Sequence, residues 1–148
     1  MNLVVGAKGL LGSELMKYPN MEGSTFRLED DVDPKGYDVA YLCAGTKGTA
    51  ECEGNRKAFR SDVDGNIRLG RNLWKRGCFV VFVSTDAVEW GLQTAYARNR
   101  FMVEMALGGL PNVAIFRPGK FDKHNAVHVA RACARVGNNR IEGLTRWP

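Results

Sequence analysis

Long apolar runs are missing from this 148-residue chain. Nothing in it approaches the roughly 18 consecutive apolar residues that a membrane-spanning helix needs, so no membrane partner is expected. The opening residues, Met1 to Gly6, have no basic flank and only a very short apolar stretch. A signal peptide is therefore not expected, and the cytoplasm is the expected compartment. Cysteine is sparse: Cys43, Cys52, Cys78 and Cys133 form no CxxC pair. That argues against a metal site and, in a cytoplasmic chain, against a disulfide framework; the four read as small buried hydrophobes. The two histidines, His124 and His128, lie four apart with no third ligand near, so no metal is expected. Charge of one sign is not concentrated either. The 21 Lys and Arg against 16 Asp and Glu give a net +5, but the charges are interspersed. The densest basic stretches, Arg68 to Arg76 and Arg131 to Arg146, read as solvated helix faces or tails, and no nucleic-acid partner is expected. The mild excess of positive charge suits an anionic ligand such as a phosphate ester.

What is present is ordinary for a folded chain: 45% hydrophobic and 25% charged residues. The length fits one domain over residues 1–148. Asn2 to Val5, Asp38 to Ala44, Phe79 to Val83 and Val113 to Phe116 are short apolar runs bounded by glycine, proline or polar residues, as buried strands are. Ser24 to Leu28 is expected to add a short fifth strand. Apolar residues at helical spacing mark helices over Leu10 to Lys17, Glu53 to Arg76, Ala95 to Leu107 and Ala126 to Val136. The tail, about residues 137–148, is expected to be irregular. Alternating strands and helices call for an α/β fold, a parallel sheet of about five strands with helices on both faces.

One local motif points to chemistry. The first strand runs directly into Gly6-Ala7-Lys8-Gly9-Leu10-Leu11-Gly12, and a helix follows. Three glycines between a strand and a helix have separable uses. The first takes the tight turn. The second lets backbone amides approach a pyrophosphate, and the third lets the helix pack closely on the strand. The helix start then presents unpaired N–H groups to the anion. Gly6, Lys8, Gly9, Leu10, Leu11 and Gly12 are therefore candidate cofactor-binding residues, with Lys8 able to add a phosphate contact. The domain reads as a Rossmann-like dinucleotide-binding fold.

Further pieces follow in order along the chain. Tyr37 to Thr46 is a strand with Cys43-Ala44-Gly45 at its end. Asp62-Val63-Asp64-Gly65-Asn66 lies on the next helix, and Phe79 to Val83 leads into Ser84-Thr85-Asp86. Tyr96 and Arg100 stand four apart, and Arg117-Pro118-Gly119 follows the last strand. With the G-x-x-G-x-x-G loop, this ordered set resembles the short-chain dehydrogenase/reductase superfamily, and within it the extended members that act on nucleotide sugars. The likeness covers roughly Met1 to Lys120.

The resemblance implies an NAD(P)-dependent oxidoreductase with a small-molecule carbonyl substrate, a keto group on a sugar or nucleotide sugar. Thr85, or Ser84 beside it, would hold the substrate carbonyl oxygen. Tyr96 would be the general acid, and a cation at i+4 shares its helix face. That cation is Arg100, where the family has lysine; arginine keeps the positive charge but does not deprotonate. Cys43, Ala44, Gly45, Arg117 and Pro118 would line the cofactor site. Asp62 stands where the family has asparagine, and the chain stops where the extended members build a substrate lobe. A non-catalytic dinucleotide-binding sensor or regulatory subunit is the alternative reading. NADP or NAD is left open, because Phe26-Arg27-Leu28-Glu29-Asp30 holds both the basic and the acidic residues that select between them. The resemblance also implies a homo-oligomer, a dimer or tetramer, for which Trp74, Phe101 and Met105 offer an apolar face. Trp74, Trp90 and Trp147 are expected to serve packing or an interface.

Overall fold

The computed structural model describes residues 1–46 and 49–148. In chain order its strands are β1 (Asn2–Val5), β2 (Met21–Gly23), β3 (Val39–Leu42), β4 (Phe79–Val83), β5 (Val113–Pro118) and β6 (Gly143–Trp147). The helices are α1 (Leu10–Leu15), α2 (Thr49–Cys52), α3 (Arg56–Phe59), α4 (Asn66–Lys75), α5 (Ala95–Leu107) and α6 (Ala126–Asn138). A π-helical turn, Arg60–Gly65, joins α3 to α4, and a 3₁₀ turn, Asp86–Trp90, follows β4.

The described strands form one parallel sheet in the order β2-β1-β3-β4-β5-β6. Every residue of β3 and β4 is buried, as in strands covered on both faces. Alternation along the strands divides the core in two. Tyr41, Val81 and Phe116 pack with Leu11 and Leu15 of α1 and Val129 and Cys133 of α6. Leu42, Phe82 and Ile115 pack with Leu69 and Leu73 of α4 and Val103 and Leu107 of α5. The chain goes outward from β1 to β2, then returns past β1 to β3. That reversal opens a crevice at the carboxyl ends of β1 and β3, where doubly wound sheets bind ligands.

Two expectations about strands are corrected. The second strand is Met21–Gly23, and Ser24 to Leu28 is not a strand. Asn20, at φ 62°, completes the turn out of α1, and its carbonyl accepts the Asn2 N–H at 2.8 Å, so pairing begins at once. A three-residue edge strand needs no apolar run. The tail is not irregular over its whole length either. Residues Gly143 to Trp147 pair with β5 in register from Ala114↔Gly143 to Pro118↔Trp147, making a sixth strand. An edge strand leaves alternate residues exposed, so its sequence is polar and gives no hydrophobic signal.

Candidate functional site

The glycine loop assigns each glycine a distinct task. Gly6 leaves β1 at φ 86°, and a β-carbon there would lie 2.8 Å from the Ala44 nitrogen. Only glycine lets the ends of β1 and β3 come this close. A β-carbon on Gly12 would fall 2.0 Å from the Gly6 carbonyl oxygen, so α1 packs directly onto the loop backbone. Gly9 differs: the one atom near its missing side chain is the Gly6 oxygen, at 3.3 Å. It begins α1 without a side-chain cap, and Ser13 N–H is the first amide bonded back to its carbonyl. The Leu10, Leu11 and Gly12 amides therefore have no partner within the helix, and all three residues line a hollow of about 240 Å³.

The loop after β3 is held from below. Asp62, buried on the π-helical turn, accepts the Thr46 N–H with both carboxylate oxygens at 3.0 Å and the Thr46 hydroxyl at 3.3 Å. π-helical turns are rare and are frequent at functional sites. A β-carbon on Gly65, at the end of this turn, would lie 2.5 Å from the Leu28 carbonyl oxygen. One turn thus positions both loops that wall a second hollow of about 630 Å³. Its lining includes Gly6, Lys8, Ala44 and Gly45, together with Ser24, Thr25, Arg27 and Glu29 from the segment after β2. Cys43 lines the smaller hollow beside Gly45, and burial pushes its thiol up to about 12, so it stays neutral at physiological pH.

At the far end, β4 delivers Ser84 and Thr85, and α5 delivers Tyr96 and Arg100. Thr94 caps α5 by accepting the Ala97 N–H at 3.1 Å. Tyr96 and Arg100 lie on one face of the helix, with the guanidinium carbon 5.6 Å from the Tyr96 ring centre and 5.8 Å from that of Phe82. Arg100 is buried and donates to the Val83 carbonyl at 3.4 Å. Among the described residues no carboxylate lies within ion-pair distance of it. Its terminal nitrogen occupies the space 2.2 Å from where a Gly45 side chain would begin.

The two hydroxyls after β4 are spent differently. Ser84 Oγ donates to Glu104 Oε2 at 2.5 Å, which uses its only proton. Thr85 Oγ1 accepts from Ala87 N–H at 3.2 Å, which leaves its own proton free. Glu104, one turn beyond Arg100, is buried and also accepts from Arg117 Nε at 3.1 and 3.2 Å and from an Arg117 terminal nitrogen at 2.5 Å. Arg117 reaches Glu89 at 3.5 Å, and Glu89 pairs in turn with Arg146 of β6. A third hollow, of about 450 Å³, lies here, lined by Ser84, Thr85, Asp86, Trp90, Tyr96 and residues 118–121. Burial, then repulsion from Glu89, raises the Asp86 carboxyl above the usual range.

The three hollows adjoin. The first two share Gly45 and Thr46, and the first and third share Ser84, Tyr96 and Phe121. The groove they form brings together Gly6, Lys8, Gly9, Leu10, Leu11, Gly12, Cys43, Ala44, Gly45, Ser84, Thr85, Tyr96, Arg100 and Pro118. Arg117 stands apart. Its guanidinium is turned into the Glu104 and Glu89 carboxylates and does not line the groove. Sequence reasoning did not find Glu104, although its i+4 spacing from Arg100 was a usable signal. It also missed Phe121, Lys120 and Thr46, which carry no local pattern. Among the described residues no group of three or more His, Cys, Asp or Glu is placed to hold a metal ion, and no helix is long and apolar enough to cross a membrane.

Strand order, glycine loop and groove define the chain's architecture as a Rossmann-like α/β fold. Solved structures of similar shape include dTDP-4-dehydrorhamnose reductases. The enzyme from Clostridium acetobutylicum matches at a TM-score of 0.79 and 19% identity, over 98% of this chain and 72% of that one. A hypothetical dTDP-4-dehydrorhamnose reductase from Sulfolobus tokodaii gives 0.79 and 19%, over 98% and 75%. The Bacillus anthracis enzyme, solved in complex with NADP, gives 0.81 and 12%, over 98% and 73%. No protein-family model and no curated protein sequence matches the chain. At these identities the shared property is the fold.

Proposed function

We propose that the chain is an NADP-dependent oxidoreductase of the short-chain type that reduces a keto group on a nucleotide sugar. The observation that carries this reading is Arg100: a buried guanidinium that lines the groove beside Tyr96, with one long hydrogen bond and no carboxylate partner among the described residues. A buried cation left this way calls for polar ligand atoms. The glycine loop fits the phosphate end of such a ligand, because a side chain at Gly9 would enter the space the ligand needs. The likeness to dTDP-4-dehydrorhamnose reductases supports the substrate class.

Gly9, Leu10 and Leu11 would hold the pyrophosphate, and Arg100 the ribose hydroxyls next to the nicotinamide. When bound, the nicotinamide supplies the hydride. Thr85, whose proton is free, holds the substrate carbonyl oxygen; Ser84 already donates its hydrogen bond to Glu104 and is the weaker candidate. Tyr96 donates the proton to that oxygen. Arg100 stabilises the phenolate left behind, but a guanidinium does not release a proton, so Tyr96 is reprotonated from water in the groove. NADP is favoured over NAD because β2 ends at Gly23 and Ser24-Thr25 follow, with no carboxylate at the strand end to grip a ribose diol. Lys8 and Arg27 line the same hollow, two cations beside the single carboxylate of Glu29.

Purified protein mixed with NADPH and 4-keto sugar nucleotides is expected to consume the reduced cofactor, and Tyr96→Phe to lower the rate by at least about a hundredfold. Absence of turnover across these substrates would sink the enzyme reading. Arg100 favours one other reading, a dinucleotide-binding sensor or regulatory subunit; it requires NADPH binding without turnover. A homodimer or tetramer is also proposed. Met102 and Met105 of α5 are its exposed apolar surface, since Trp74 is turned inward, its indole N–H on the Pro111 carbonyl at 2.7 Å. Sedimentation at graded concentrations tests it.

A further inference from the structure

Trp90 has no packing role. It is 76% exposed, whereas Trp74 and Trp147 are packed against the two core clusters. It nevertheless borders a hollow. It ends the 3₁₀ turn that begins at Asp86 and lines the third hollow together with Thr85, Asp86, Tyr96 and Lys120. Its support is stiff. Thr85 Oγ1 caps the start of the turn by accepting the Ala87 N–H. Glu89, the residue before Trp90, is gripped by Arg117 of β5 and Arg146 of β6. Gly91, at φ 108°, turns the chain away immediately after the indole. The backbone that carries the indole is thus set before a ligand arrives, so seating a ring on it costs little further backbone entropy.

We infer that Trp90 is the stacking platform for the sugar ring of the substrate, setting the ring so that its keto carbon lies toward Thr85 and Tyr96. The assignment rests on the reductase reading above and adds a specificity residue to it. A pyranose has one face of C–H bonds and a rim of hydroxyls. The hollow offers matching chemistry: an indole face, the Asp86 carboxylate to accept from hydroxyls, and the Lys120 ammonium to donate to them. Its volume of about 450 Å³ lies in the range of small-molecule sites. Without Trp90 the hollow would have no large flat apolar wall on that side, and a linear keto compound would fit it as well as a ring.

The test compares dTDP-glucose with dTDP by calorimetry, each titrated into protein with and without saturating NADPH. In the wild type the sugar is expected to tighten binding over dTDP alone. In Trp90→Ala that increment should fall roughly three- to tenfold, the worth of one aromatic contact. Trp90→Phe should keep most of it. NADPH affinity should be the same in all three proteins, which also verifies that the exposed substitution leaves the fold intact. An undiminished sugar increment in Trp90→Ala overturns the inference, as does the absence of any increment in the wild type. Loss of the increment in a protein that does not bind NADPH supports the role of Trp90 while sinking the cofactor reading.

Discussion

The two ends of the groove are built from different materials. At the β1–β3 end the groove lining is largely backbone: Gly6, Gly9 and Gly12 act by lacking side chains, and all three stand in one short loop and helix start. At the β4–β5 end it is side chains held by distant partners. Ser84 rests on Glu104, Glu104 on Arg117, and Arg117 on a Glu89 shared with Arg146. The comparison teaches that a backbone site tolerates no added atom, whereas a side-chain site tolerates changes that keep its partners satisfied.

The largest effect should come from Gly12→Ala. Its new methyl would meet backbone at 2.0 Å, so we expect a loss of about 3 kcal/mol of stability in urea unfolding. Gly9→Ala sharpens the contrast: its methyl meets one atom at 3.3 Å, so the melting curve should hardly move while NADPH binding is lost. If both variants unfold alike, the division of labour among the glycines is wrong.

At the other end, Glu104→Gln should cost about 2 kcal/mol, since it leaves the half-buried Arg117 with only Glu89. Pairing it with Arg117→Met should recover most of that loss, which a double-mutant cycle in urea would read. A smaller effect, about 1 kcal/mol, is expected for Gly45→Ala, whose methyl presses on the flexible end of Arg100. In an Arg100→Lys background the cost should shrink, because the shorter cation vacates that space. Additive costs would show that Gly45 and Arg100 do not touch.

The smallest effect concerns Asp86. Its carboxyl is raised in the folded chain, so its ionised form weakens the fold at neutral pH, and the penalty fades as the pH falls through the carboxylate range. Asp86→Asn should therefore raise the melting temperature slightly at pH 7 and leave it unchanged in acid.

Much of the fold was legible beforehand. The limits of β1, β4 and α5 match their apolar runs, because each is a continuous core segment with clear breakers. The edge strands were not. Residues 21–23 look like a turn and residues 143–147 like a tail, because an edge strand is specified by the neighbour it pairs with. The same distinction runs through the site. The glycine spacing and the Tyr96–Arg100 interval are local and could be read directly. Arg117 was expected to wall the groove, but Glu104, from another element, turns it away.

The chain's own order of residues settled where backbone must lie bare, and which side chains share the Tyr96 face of α5, because those relations act over a few residues. Only the folded sheet decided which hydroxyl keeps its proton free, where Arg117 points and that Trp90 lines a hollow. Each depends on groups dozens of residues apart meeting across β4, β5 and β6, where burial makes an unpartnered charge or hydroxyl costly.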